Sequence, residues 1–372
     1  MNSKNVGVLG LVAVAVIGGG IWLASERSAS SLESGKSLYP DLKKTLNDAN
    51  AVRIHTAGDT LAVEIARKDD SWTVTERHGY PADEAKLRKL LLTFANAQLR
   101  EQKTANPDNY PTLGVEDVSD ANATGVRIEV AGVEPPVNLI VGKQGPGLES
   151  QYVRKVGEER SWLIDASVDT SSGPADWLRK PLIDVSADRI QSATIETEGA
   201  KPYTASKSSR ADADFAVDPL PNGKELSSSG AANSLATALA GLTLADVRPA
   251  SELEGNPEAR ATYRTFDGLV VEIDGWSVED ERFVVVRTKF DEALAERFKT
   301  PAADKSEQPA EGESAAKASE EDASVDAGDK PVVPNVAEEA KTLSQSVEGW
   351  AFEIPNYKFD AIFKSLDGML KK

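Results

Sequence analysis

The chain of 372 residues contains no cysteine. Disulfides, thiolate catalysis, iron–sulfur clusters and cysteine zinc sites are therefore excluded, as is a lipid anchor on cysteine. Histidine is scarce: there are 2, His55 and His78, each alone in its stretch of sequence. A metal site with several imidazoles is thus not expected. Positive charge is outweighed, with 42 Lys and Arg against 60 Asp and Glu and a formal net charge of -18. Such a chain repels phosphate backbones, so nucleic acid is not expected as a partner. Long hydrophobic runs are lacking with one exception.

That exception is Val6 to Ala24, an uncharged run. Its length is close to the roughly 20 residues that an α-helix needs to cross a bilayer. Trp22 stands where an interfacial aromatic would stand, and Glu26 and Arg27 end the run. Lys4 and the free amino group place the amino terminus in the cytoplasm and the bulk of the chain outside it. A cleaved signal peptide is the competing reading, with Ala13-Val14-Ala15 as its cutting site. A cut there leaves a very short apolar core, so a transmembrane anchor is expected. Ser25 to Ser37 reads as a tether, followed by a short helix within Leu38 to Leu46.

The rest reads as two related α+β repeats, each a mostly antiparallel sheet with one packed helix. In the first, Val52 and Ile54, then Leu61, Val63 and Ile65, alternate with polar residues around a Gly58-Asp59 turn, a hairpin pattern. Ser71 to Thr75 is a further strand. Asp83 caps a helix whose Leu87, Leu90, Leu91, Phe94 and Ala95 make one apolar stripe. Strands follow at Val126–Val130, Val137–Val141, Gln151–Lys155 and Ser161–Ile164, and a helical tail carries Trp177. The second copy repeats the order with Ile190–Thr197, Tyr203–Ser206 and Phe215-Ala216-Val217. A helix opened by Ser227-Ser228-Ser229 then presents Leu235, Ala238, Leu239 and Leu242, before strands near 261–266, 270–273 and 283–289.

From about Pro301 to Ser346 the composition is Ala, Glu, Ser, Asp, Lys and Pro, which buries too little surface to offset ordering. Trp350 to Ile354 and a terminal helix through Tyr357, Phe359, Ile362, Phe363 and Leu366 then resume the second core. The expected divisions are 1–24 anchor, 25–50 tether and short helix, 51–183 first repeat, 184–299 second repeat, 300–346 disordered acidic insertion, and 347–372 the strand and helix that complete the second repeat.

Trp72, Tyr80-Pro81-Ala82-Asp83, Leu90-Leu91, Lys103 to Pro107, Leu113 to Asp117 and Gln151-Tyr152-Val153-Arg154 resemble the bacterial domain-of-unknown-function family 4340. The resemblance extends over essentially all of the chain after the anchor. It implies an amino-terminal membrane helix and a setting beside ABC-transporter components of the gliding-motility auxiliary type. It implies no catalytic, cofactor-binding or metal residues, and no cofactor.

Several residue groups invite a sharper reading. Asp212, Asp214 and Asp218 suggest calcium, but the Gly and distal Glu of a calcium loop are missing, and a solvated turn is expected. Gly142 to Gly147 lacks the Gly-Lys-Ser/Thr ending of a phosphate loop and reads as a hairpin turn. His55 and His78 have no readable catalytic partner and are expected at the surface or a sheet edge. Trp72, Trp162, Trp177, Trp276 and Trp350 could line a sugar cleft, though core packing fits their repeated placement better. The expectation is a non-enzymatic, single-pass inner-membrane protein with its bulk in the periplasm, contacting an integral membrane protein such as ABC-transporter components. The alternative is a ligand-binding module that holds an envelope polymer or lipid in a groove between the repeats.

Overall fold

The computed structural model describes residues 35–299 and 335–371. The expected anchor (1–24), most of the tether and residues 300–334 of the acidic segment lie outside the described residues. No helix among the described residues is long and apolar enough to cross a membrane. The chain is a mixed α+β protein with antiparallel sheets, and it divides between Lys180 and Pro181 into two compact units.

In the first unit, α1 (Leu42–Thr45) precedes β1 (Ala51–Thr56), β2 (Thr60–Lys68), β3 (Ser71–Val74) and β4 (Tyr80–Pro81). Then come α2 (Glu84–Asn96), β5 (Leu99–Gln102), α3 (Tyr110–Leu113), β6 (Val126–Ala131), β7 (Val137–Gln144), β8 (Gln151–Lys155) and β9 (Ser161–Ile164). The nine-stranded sheet has the order β4-β3-β2-β1-β6-β7-β8-β9-β5. Gly58 (φ 72) and Asp59 (φ 57) turn β1 into β2 in the left-handed region that glycine tolerates. Across the sheet, Ile54 stands opposite Val63 and Ile128, so one face gathers buried apolar side chains. The α2 stripe Leu87, Leu90, Leu91 and Phe94 joins this core. Each such side chain contributes about 1.5–3 kcal/mol by leaving water. Asp83 caps α2 by accepting from the Lys86 amide at 2.9 Å.

The second unit holds β10 (Pro181–Ile183), β11 (Ile190–Thr197), β12 (Tyr203–Ser206), β13 (Ala216–Asp218), β14 (Leu242–Thr243), β15 (Asp246–Pro249), β16 (Ala259–Thr265), β17 (Leu269–Val278) and β18 (Glu281–Phe290). After these come α4 (Glu292–Arg297), α5 (Val336–Val347), β19 (Trp350–Glu353) and α6 (Asn356–Ile362). Its eight-stranded sheet runs β13-β12-β11-β16-β17-β18-β19-β15. Adding ten to each label of the first sheet reproduces this order, β4 excepted. The closing ladders also correspond. Asp83 N donates to Trp177 O at 2.7 Å and Arg179 N to Pro81 O at 3.0 Å; Ser227 N donates to Met369 O at 2.8 Å and Lys371 N to Glu225 O at 2.9 Å. Gly275 on β17 admits the rings of Phe359 and Phe363, since a Cβ there would stand 2.6 Å from Phe363.

Four expectations are corrected. The helix expected after Ser227 is a 3-10 turn, Asn233–Thr237. Leu235, Ala238, Leu239 and Leu242 are buried as expected, but Asn233 is spent on local bonds: it accepts from Phe215 N at 3.1 Å and donates to Asp214 at 2.7 Å. Such side chains compete with helical backbone bonds. Residues 336–346 of the segment expected to be disordered belong to α5, because Val336, Ala340, Leu343 and Val347 share one face and Asn335 caps it. The tail at Trp177 is a 3-10 turn, Pro174–Trp177. Finally, residues 181–183 belong to the second unit rather than the first, since β10 pairs with β14.

Candidate functional site

The sharpest gathering of titratable groups surrounds His55. Its strand, β1, lies between β2 and β6 rather than at an edge, and the side chain is 12% exposed, so the expected surface or edge histidine is corrected. Arg127 stands opposite it on β6. Asp59, in the β1–β2 turn, comes within 3.4 Å of His55 Nδ1, and Glu129 within 3.9 Å of Nε2. Arg127 holds both carboxylates, Asp59 at 2.9 Å and Glu129 at 3.2 Å. The turn is fixed by Gly58 N and Asp59 N, which donate to Asp120 O and Val118 O. Neither imidazole nitrogen has a hydrogen-bond partner. The carboxylates approach opposite nitrogens, so they do not converge with either on one point where a cation would sit. No set of three or more metal-ligating side chains occurs among the described residues. The cluster is an ion-pair lattice that ties β1, β6 and the turn together.

His78 is exposed, in a left-handed turn (φ 54) between β3 and β4. The three aspartates do not assemble. Asp212 accepts from the amides of Ser209 and Ser208, at 2.9 and 2.7 Å, and these bonds hold its carboxyl below the usual range. Bonds from Ser229 and Asn233 do the same for Asp214. Asp218 pairs with Thr204 in the β12–β13 ladder. Gly142 lies within β7 rather than in the turn, and a Cβ there would fall 2.4 Å from Leu113 O. Close packing of backbone, not a phosphate, explains that glycine.

The tryptophans divide. Trp162 and Trp177 are buried, and Trp177 Nε1 donates to Ser171 O at 2.9 Å. Trp72, Trp276 and Trp350 are half-buried. Trp72 lines a groove of about 450 Å³ beside α2, with Asn47, Arg67, Asp70, Glu84 and Arg88 at its rim. A second groove, of about 730 Å³, runs along the same helix and also reaches Arg88 and Leu92.

Two arginines carry structure that sequence reasoning missed. Arg154 is 3% exposed and donates to Val115 O, Glu158 O and Asp117, pinning the β5–β6 connection over β8. Arg189 donates to Glu339 on α5 at 2.8 Å and to Asp267 at 2.8 Å. The bonds to Glu339 raise the Arg189 pKa further against the opposing effect of burial. Burial works to raise the Asp267 carboxyl, but the bonds from Arg189 and Thr265 outweigh it and hold it below the usual range.

Two antiparallel sheets of matching strand order thus define a mixed α+β protein. The family model described as Domain of unknown function (DUF4340) matches residues 72–264, and the chain belongs to that family. The matched range runs from β3 of the first unit to β16 of the second. No curated protein and no solved structure matches the chain.

Proposed function

We propose that the protein is a non-enzymatic, membrane-anchored envelope component of an ABC-type transport system, acting by protein–protein contact on the periplasmic side of the inner membrane. The two units are read as copies of one ancestral unit, with the acidic segment inserted in the second. The observation that supports this most is how the chain enters the first sheet. Gly35 N donates to Leu99 O at 2.7 Å, Leu99 N to Lys36 O and Leu38 N to Ala97 O, both at 2.8 Å. Leu38, Tyr39 and Leu42 are buried immediately afterwards. On this reading the expected anchor at residues 6–24 precedes a chain that enters at a sheet edge, so that a force or displacement at the membrane would reach the first unit. The test is crosslinking of the full chain in native membranes, followed by identification of its partners. Recovery with integral membrane transporter subunits, lost when residues 2–24 are deleted, is the expected outcome. A full-length chain that remains alone, or that alkaline carbonate washes off the membrane, would overturn the reading.

A further inference from the structure

We propose that the groove at Trp72 is a binding site for a neutral saccharide, with the indole as its stacking platform and Asp70, Glu84 and Arg88 as its hydrogen-bonding rim. The groove lies wholly within the first unit and does not depend on the transport reading. Its volume of about 450 Å³ falls in the range of small-ligand sites, roughly 300–1,000 Å³. Leu87 and Leu91 supply an apolar floor from α2, and Trp72 stands across from Arg67 in the β2–β3 ladder. Among the described residues, the side chains of Asp70, Glu84 and Arg88 make no hydrogen bond or ion pair, although all three are charged and line the same groove.

A sugar ring has an apolar C–H face and a rim of hydroxyls that both donate and accept. An aromatic face suits the first. Carboxylates that only accept and a guanidinium that only donates suit the second. The rim charges of Arg67 and Arg88 cancel those of Asp70 and Glu84, so a strongly ionic ligand gains no net attraction there. A polyanion is further opposed by the net charge of -18. The fold itself does not need an open groove at this position. In the second unit the corresponding residue is Phe215, two residues before buried Val217 as Trp72 is two before buried Val74. Phe215 is 2% exposed, its amide donates to Asn233, and Lys207 lies 4.9 Å over its ring.

The test is titration of the full chain in detergent micelles by calorimetry and saturation-transfer NMR. The probes are the β-1,4-linked N-acetylglucosamine trimer, maltotriose, trigalacturonic acid and an oligoglutamate peptide. Binding of a neutral trisaccharide is expected, weakened about tenfold or more by Trp72→Ala, Arg88→Gln or Glu84→Gln. Trp72→Tyr should restore most of the affinity, and Leu61→Ala, outside the groove, should leave it unchanged. Arg88→Gln and Glu84→Gln alter exposed side chains and keep the test valid where Trp72→Ala lowers the melting temperature. The proposal fails if neither neutral sugar binds at millimolar concentration, if the acidic probes bind in their place, or if the rim variants bind as the parent does.

Discussion

The two units share a strand order but cover their sheets differently. Between β4 and β5 the first unit spends 13 residues on α2; between β13 and β14 the second has a 3-10 turn of 5 residues. Conversely, the second unit packs α5 near β18, a helix for which the tight β8–β9 turn leaves no room. The sheet order is preserved because every interior strand is held by two neighbours, and moving one breaks both ladders. A covering element has only to supply apolar side chains at the right height, which a helix, a 3-10 turn or an inserted segment can do equally well.

The largest expected effect tests whether α2 is as central as that comparison requires. Phe94 is fully buried, and Phe94→Ala should cost about 3–5 kcal/mol in chemical denaturation. A glycine at exposed Lys89 should cost only about 1 kcal/mol. If the two effects are alike, α2 is a loosely held cover and the contrast with the 3-10 turn loses its meaning.

How much of this was legible in the sequence follows from the range of each interaction. The α2 stripe and the Asp83 cap are local, as is the alternation of β1 and β2, and all were readable. Leu235, Ala238, Leu239 and Leu242 reach the core as the sequence predicts but on a different backbone, since their spacing suits a helix while Asn233 and Gly230 do not. The α5 face was hidden because its apolar side chains sit in an acidic, alanine-rich stretch whose composition suggested no fold. The His55 lattice was out of reach: Arg127 and Glu129 meet it only through the pairing of β1 with β6. The Trp72 groove likewise draws on three separate stretches, the approach to β1, the β2–β3 hairpin and α2. The repeated placement of the tryptophans favours a core position for Trp72, and only its half-burial reveals an accessible face.

Next in size are the two arginine pins, one in each unit. Arg154→Met strands the buried Val115 carbonyl and should cost about 2–3 kcal/mol. Arg189→Met acts at a more exposed position, 20% open, and should cost about 1–2 kcal/mol. Its loss should appear as faster hydrogen exchange in α5 rather than throughout the chain. Uniform exchange across the second unit would mean that α5 is integral to the core and not an addition to it.

The Arg189 pin also carries an acid signature. Because the Asp267 carboxyl is held below its ordinary value, the folded state binds its proton less readily than the unfolded chain. The resulting stability is complete above the unfolded value of about 4 and is lost as the pH falls through the lower folded value. Denaturation followed from pH 6 downward should show the parent losing this increment below about pH 4. Arg189→Met should lack most of it. Equal acid slopes in the two proteins would assign the acid response to other carboxylates.

The smallest effect concerns the open sheet faces, where both units set charged side chains in rows. In the second, Arg287 meets Asp274 at 2.7 Å and Glu272 at 3.8 Å while more than half exposed. Water screens such pairs and the side chains give up entropy to hold one geometry, so Arg287→Ala should change stability by about 0.5 kcal/mol or less. In the first unit Arg53 pairs with Glu64 at 2.7 Å and is 38% exposed, and Arg53→Ala should cost slightly more, still below about 1 kcal/mol. Raising salt should shrink both differences. A cost of several kcal/mol at Arg287 would mean that this face is covered in the working protein. The second unit's outer face would then be the docking surface, and the comparison between the units would have to be redrawn around it.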